Sequence, residues 1–411
     1  MSLNDSVDLH RLAQDIKAWG KALGFKDVGI TDIDLSQHEE FLQTWLEKKY
    51  YGSMTFFPER GMMRARPAEL VPGTCRIISV RMDYLPPDAS FAKHLDNTKV
   101  GYISRYALGR DYHKVMRNKL KKLGQQITQY LETQIQSEDF SDENAPVHFR
   151  PFVDSAPILE HAVAEKAGIG FTGKHSLTIH PDQGSWFFLG ELFINIPLPI
   201  DEPITADCGT CNACISICPT GAIVEPYVID ARKCISYLTI EHNGPIEEQY
   251  RKPMGNRIYG CDDCQLVCPF NQTSEITKEA DFHARPLLHG SNLDELFAWD
   301  EVTFLQNTEG SPIRRIGYAK WQRNISVGIG NMPFSAAALS ELQKKLALLQ
   351  NNHWHDYGFD TAPSGAQVAM LQEHLSWAIN EQKRTFVEGS SDNRQQARVV
   401  RIVEKGMPKH A

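Results

Sequence analysis

Eight of the nine cysteines of this chain fall between positions 208 and 268. The first run, Cys208-Gly-Thr-Cys211-Asn-Ala-Cys214-Ile-Ser-Ile-Cys218-Pro219, reads C-x2-C-x2-C-x3-C-P. The second, Cys261-Asp-Asp-Cys264-Gln-Leu-Val-Cys268-Pro269, repeats that rhythm without its leading cysteine, whose place is taken by Ile258; Cys234 stands alone between the runs. Two-residue spacings let three thiolates meet one iron–sulfur cube, and the cysteine before proline serves the other cube in two-cluster ferredoxins. That crossover assigns Cys208, Cys211, Cys214 and Cys268 to one [4Fe–4S] cluster. Cys218, Cys261, Cys264 and the displaced Cys234 would hold a second. Disulfides suit a small secreted domain, and zinc favours paired C-x2-C knuckles without trailing prolines. A single cluster with spare cysteines is the other reading left open. The chemistry implied is electron transfer in a reducing compartment. Cys75, in an apolar run after Gly73, is expected to be a buried structural thiol.

These cysteines need a scaffold, and the chain is long enough for two or three domains at 411 residues. Its hydrophobic share of 42% and charged share of 23% are those of a soluble globular protein. The start of the chain has no secretory pattern, and the most apolar stretch, 186–200, is too short and too interrupted to span a bilayer. A cytoplasmic, membrane-free and monomeric protein is expected. The net charge of −8 argues against indiscriminate nucleic-acid binding. Two local basic groups stand out: Arg314, Arg315, Lys320 and Arg323, and the carboxy-terminal Lys383, Arg384, Arg394, Arg398, Arg401, Lys405 and Lys409. Solvated helix faces are the plain reading of both.

The pattern predicts a mixed fold in four parts. Residues 1–200 alternate helix and strand: helices at 7–23, 37–50, 112–136 and 155–167, strands at 76–84 and 147–153, and a hairpin joining 176–180 to 185–196. Residues 201–272 form the double-cluster module after a proline-rich boundary. Residues 280–385 carry apolar residues at helical spacing, as in a short HEAT-like repeat array. Residues 386–411 form a basic tail, expected to be partly disordered.

Three motifs invite chemistry. Gly168-Ile-Gly170-Phe-Thr-Gly173-Lys174-His175 matches both a dinucleotide fingerprint and a phosphate loop, but each requires strand-loop-helix order and here a helix comes first. The glycines are expected to end that helix and admit close backbone approach. Asp111-Tyr-His113 begins like the D-x-H-x-x-G signature of some cobalamin proteins, yet Met116 holds the glycine position, so surface or helix-capping roles are expected. Asp154, between a strand and a helix, reads first as an N-cap. Its functional alternative is a partly buried carboxyl of raised pKa that donates a proton during reduction.

Taken with Tyr106-Ala-Leu-Gly-Arg-Asp-Tyr-His113, Val153-Asp-Ser-Ala-Pro157, Ala164–Lys174, Cys234-Ile-Ser-Tyr-Leu-Thr239 and Gly255-Asn-Arg-Ile-Tyr-Gly-Cys261, the chain resembles the epoxyqueuosine reductases over about residues 7–382. The resemblance implies an α/β domain and a cluster module enclosing cobalamin, with helical repeats beside them. It implies reduction of the epoxide of epoxyqueuosine at the wobble position of transfer RNA. Electrons would come from an external donor through two clusters to cobalt, and Asp154 would supply a proton. Positions matching the family's cobalamin contacts are Arg64, Ser104, Asp154, Lys174, Thr178 and Leu189, with Ser236, Tyr237 and Asp262 near the clusters. Without the histidine motif, no histidine ligand to cobalt is expected. An RNA substrate makes phosphate contacts the expected role of Arg314, Arg315, Arg323 and the carboxy-terminal cations. A cobalamin-dependent reductive dehalogenase and a ferredoxin-like electron carrier are the alternatives.

Overall fold

A computed structural model describes residues 7–134, 147–389 and 393–406. Its amino-terminal part is built on a four-stranded sheet. Asp27–Thr31 (β1), Arg76–Asp83 (β2), Phe149–Phe152 (β3) and Phe187–Ile194 (β4) lie in the order β1-β2-β4-β3, and all pairings are antiparallel. Alternation along β4 divides its two faces. Phe188, Leu192 and Ile194 join the core made with Leu9–Ala22 (α1) and Tyr112–Gln134 (α2). Phe187, Leu189 and Phe193 face the other way, in clusters shared with Ala162, Val163 and Ala164 of Glu160–Lys166 (α3). The domain is therefore a helix-covered antiparallel sheet rather than a parallel α/β fold.

Two sequence expectations change here. The hairpin is replaced: Thr178–Ile179 pairs with Phe171–Thr172, and one bridge, His180 to Gly184, spans the turn. The run assigned to its second arm is β4, buried at every residue, because a strand apolar on both faces belongs inside a sheet. The helix expected over 155–167 covers only Glu160–Lys166. Asp154 has a left-handed φ of 58°, and Pro157 biases Ala156 away from helical backbone. Leu159 precedes the helix, so Asp154 does not cap it. Gly168, at φ 70°, does end α3 as expected; a Cβ there would approach Glu202 O to 2.6 Å.

The cluster segment is not an isolated bead. Its strand Arg257–Tyr259 pairs in parallel with Tyr102–Ile103 of the preceding part, crossing the boundary expected at 200. After it come Gly317–Asn331 (α4), Ala336–Gln350 (α5) and Gly365–Glu388 (α6), with α4 and α5 both packed on α6. Nearly all of α4 is buried. Its Arg323 donates to the carbonyls of Leu238, His242 and Gly244, and Asn324 donates to those of Thr239 and Ile258. These bonds fasten the helical part to the segments carrying Cys234 and Cys261.

The expected disordered tail contains a helix, Arg394–Gly406 (α7), which buries Gln396, Val399, Val400 and Val403 and packs on Phe91–Asp96. Lys409 and the segment 135–146, including the end of the predicted 112–136 helix, lie outside the described residues. Among the described residues no helix is long and apolar enough to cross a membrane.

Candidate functional site

The short helix Ala213–Ile217 turns Cys214 inward, and the loops around it bring Cys208, Cys211 and Cys268 to one hollow beside His175, Ile179 and Phe270. Burial, then the adjacent Cys208 and Cys211, push the Cys214 thiol up to about 11. Cys268 rises to about 12 through burial, with Cys208, Cys214 and Cys211 also against ionisation. This mutual opposition is what a polycationic metal core relieves on binding four thiolates. The second group is equally distinct. Burial raises Cys264, and the charges that add to it belong to Cys234, Cys218 and Cys214. Cys261 is raised by burial, by Asp263 and by Cys264. Cys208, Cys211, Cys214 and Cys268 thus line one hollow, and Cys264 stands near Cys234 and Cys218. Among the described residues no three His, Cys, Asp or Glu side chains close on a single metal ion. Sulfurs spread around a cube suit this wider arrangement.

The residues between the ligands hold the loops. Asp262 accepts from Tyr102 Oη at 2.7 Å, Ser104 Oγ at 2.5 Å and the Arg105 backbone N–H at 3.1 Å. Asp263 takes both arms of Arg257, at 2.9 and 2.8 Å, and both side chains are at most 2% exposed. One aspartate thus ties the Cys261–Cys264 turn to the sheet domain, and the other ties it to the strand before it. Backbone N–H groups of Lys174 and Ala222 also point at Cys208 Sγ (3.4 Å) and Cys218 Sγ (3.2 Å), contacts that tune a cluster's potential.

A second constellation forms where β3 ends. The left-handed turn at Asp154 presents its carboxylate, with a side chain 57% exposed, to His113 Nε2 at 3.2 Å and to the donating hydroxyl of Tyr112. A non-glycine residue in this conformation is costly, and such strain collects at functional sites. His113 Nδ1 meets Asp111 Oδ1 at 2.8 Å, and Arg315 donates to Asp111 Oδ2 at 2.7 Å. The chain Asp111–His113–Asp154 is therefore a carboxylate–imidazole–carboxylate relay. Burial alone would raise the Asp154 pKa, but the bonds from His113 and Tyr112 hold it below its ordinary value. Burial alone would lower His113, but the bonds to Asp111 and Asp154 raise it. The expectation of an Asp154 with raised pKa is corrected: the contacts from His113 and Tyr112 favour its carboxylate, while Arg315, 2.9 Å from His113 Nδ1, opposes a charge on the imidazole.

A family model described as "Epoxyqueuosine reductase QueG, DUF1730" matches residues 64–155, and a 4Fe-4S double cluster binding domain matches residues 207–271. The epoxyqueuosine reductase of Aliivibrio fischeri is 54% identical over 98% of this chain and 100% of its own length. That of Escherichia coli is 52% identical over the whole of both chains. This chain belongs to the epoxyqueuosine reductase family. It is an oxidoreductase, and the double-cluster module supports iron–sulfur binding. A crystal structure of an epoxyqueuosine reductase with an epoxyqueuosine-modified tyrosine transfer RNA stem loop superposes with a TM-score of 0.76 at 26% identity, over 97% of this chain and 99% of that one. A Bacillus subtilis epoxyqueuosine reductase, described with its catalytic aspartate loop swung out of the active site, gives 0.73 at 26% identity and the same coverage.

Against the positions matched to epoxyqueuosine reductases, the structure draws two groups. Arg64, Asp154, Thr178 and Leu189 surround α3: Leu159 N donates to Arg64 O at 3.2 Å, Thr178 Oγ1 lies 2.8 Å from His161 Nδ1, and Leu189 packs with Ala164. Ser104 and Asp262 bond each other, and Tyr237 Oη lies 2.8 Å from Ser53 Oγ, on the cluster side beside Ser236. Lys174 stands apart, donating to the carbonyls of Gly209 (2.7 Å) and Cys211 (2.9 Å). Cys75 is half-buried rather than enclosed. Arg323 is fully buried on carbonyls and is no phosphate contact. Lys320 is half-buried and donates to Ile240 O at 2.8 Å.

The sequence reading gave His113 only a surface or capping role and passed over Glu160 and Glu191. Asp111 does accept the His113 N–H at 3.2 Å near the start of α2, as a capping role requires, but its other contacts reach beyond capping. The signal was Asp111-Tyr-His113 itself: its failure as a cobalt motif obscured its contacts with Asp154.

Proposed function

We propose that this protein reduces the epoxide of epoxyqueuosine at the transfer RNA wobble position to the alkene of queuosine, using two [4Fe–4S] clusters and cobalamin, with Asp154 delivering a proton. The reaction consumes two electrons and two protons and releases water. The observation that carries this reading is the Asp111–His113–Asp154 chain of contacts on the same molecule as eight clustered cysteines.

The residues present suit cobalamin, an amide-rich macrocycle. The buried Arg64 Nε has no protein partner, and Leu189 and Phe187 form an apolar surface against α3. Arg64, Thr178 and Leu189 would hold one side, with Ser236 and Tyr237 toward the clusters; Ser104 and Asp262 would act by fixing the Cys261–Cys264 turn. When bound, cobalamin supplies the low-potential chemistry that opens the epoxide. Electrons from an external donor would pass through the two quartets to cobalamin.

The protein's own part is proton control. His113, protonated between two carboxylates, passes its proton from Nε2 to Asp154 Oδ2 as Asp154 protonates the opening ring, and Asp111 balances the imidazolium throughout. Arg315, with half its side chain exposed, holds Asp111 and would be free to meet an RNA phosphate. Tyr112 stacks on Phe188 at 4.0 Å between centroids, which fixes the hydroxyl that orients Asp154.

The test is anaerobic reconstitution with iron, sulfide, cobalamin and a low-potential reductant. Nucleoside mass spectrometry of epoxyqueuosine-containing transfer RNA should then show queuosine replacing the epoxide. Dehalogenation of aryl halides by the same preparation would instead favour the dehalogenase reading.

A further inference from the structure

Glu191 is an acid without an explanation in the fold. It lies at the centre of β4, paired with Ser79 of β2 and Phe152 of β3, and is 0% exposed. Neither carboxyl oxygen has a conventional donor, and the neighbouring Ser79 hydroxyl has no partner either. An isolated carboxylate cannot be kept there cheaply. Its face of the sheet is covered by α3, whose first residue is Glu160. Glu160 in turn accepts the backbone N–H of Asp154, Oε1 to N at 2.5 Å. Two carboxyls thus lie in line behind the left-handed turn that presents Asp154.

We propose that Glu160 and Glu191 share one proton and together act as a positioning pair, Glu191 donating to Glu160 while Glu160 holds the Asp154 N–H and so keeps the proton-delivering loop closed. This rests on the reading of Asp154 as the proton donor. Two further features support the pair. Burial, with Asp154 next, brings Glu160 up to about 7. Burial and Glu160 raise Glu191 well above its ordinary range. The charged and titratable groups around them are Asp154 and His113 at the site, Tyr112 from α2 and Arg64 from the loop beside α3. None lies among the cluster ligands. The arrangement makes loop closure depend on protonation. Loss of the shared proton places two buried negative charges together, and Glu160 is driven from the turn.

The test uses the full-length protein carrying both clusters, without RNA. Hydrogen–deuterium exchange of the peptide containing residues 153–158 is followed from pH 6 to 10 and expressed as protection factors. In the native sequence protection should fall as the shared proton is lost. Glu191→Gln keeps a neutral donor and should hold protection roughly level across the range. Glu160→Ala should lose it at every pH, and Glu160→Gln, which keeps a carbonyl acceptor, should restore most of it. In turnover, Glu160→Ala should lower kcat about tenfold or more with KM for the transfer RNA within about twofold and cluster absorbance unchanged. Identical protection in Glu160→Ala and the native protein overturns the proposal. So does a Glu191→Gln profile that superimposes on the native one. If Asp154→Asn keeps full turnover, the proton-donor reading fails, while the exchange data still decide whether the pair holds the loop.

Discussion

At the scale of single residues, the decisive contacts are those of His113. It spans Asp111 and Asp154 at 2.8 and 3.2 Å, so Asp154 and His113 act on one proton and their replacement should not be additive. Asp154→Ala should keep both clusters and lose turnover by roughly 10²–10⁴-fold, the range of a lost general acid. His113→Gln should lose less, because Asp154 can still draw on solvent. The pH dependence follows from direction alone. His113 is raised in the folded protein, so the relay is loaded below that pKa and unloaded as pH rises through it. Single-turnover rates should fall on the alkaline side for the native protein and lose this limb in His113→Gln. An unchanged alkaline limb in the variant would remove His113 from the path.

Elements explain why these residues meet. The cluster loops are held by Arg257 from the adjoining strand and by parts far away in sequence, Tyr102 and Ser104 from the sheet domain and Arg323 and Asn324 from α4. Arg323→Met strands the carbonyls of Leu238, His242 and Gly244, each costing about 1–3 kcal/mol when buried unpaired. A lower thermal midpoint and faster loss of iron from the Cys234 side should result, read by calorimetry and visible absorbance. Cys234→Ser should leave one intact cluster, so iron analysis should give about half the native content. The basic residues separate by the same logic. Arg394, Arg398, Arg401 and Lys405 follow an i, i+4, i+7, i+11 spacing on α7 and are all exposed, with Glu404 the only acid of that helix. As phosphate contacts, their replacement by glutamine should flatten log K against log salt by about 0.7–0.9 per contact removed. An unchanged slope returns α7 to a solvated face.

At the scale of the whole molecule, what was legible in the sequence divides by the range of the interaction. Cysteine spacing is local chemistry, so the double-cluster module and the hollow of Cys208, Cys211, Cys214 and Cys268 could be read from it. Long helices such as α2 were visible from periodicity. The hairpin failed because β4 is apolar on both faces, and only the tertiary pairing shows it inserted between β2 and β3. Asp154 failed as an N-cap because Pro157 and the left-handed turn delay the helix to Glu160. Arg323 looked like an RNA contact because charge reveals nothing of burial; the carbonyls that receive it lie about eighty positions earlier. His113 and the Glu160–Glu191 pair needed the third dimension outright. Under the proposed function these parts would work together, the cysteine sets carrying electrons and Asp154 a proton. The most direct test is nucleoside mass spectrometry after anaerobic incubation of the cluster-loaded protein with cobalamin, reductant and epoxyqueuosine-containing transfer RNA. Conversion to queuosine that requires cobalamin and collapses in Asp154→Ala is predicted; an epoxide that persists with both clusters and cobalamin in place would contradict the account.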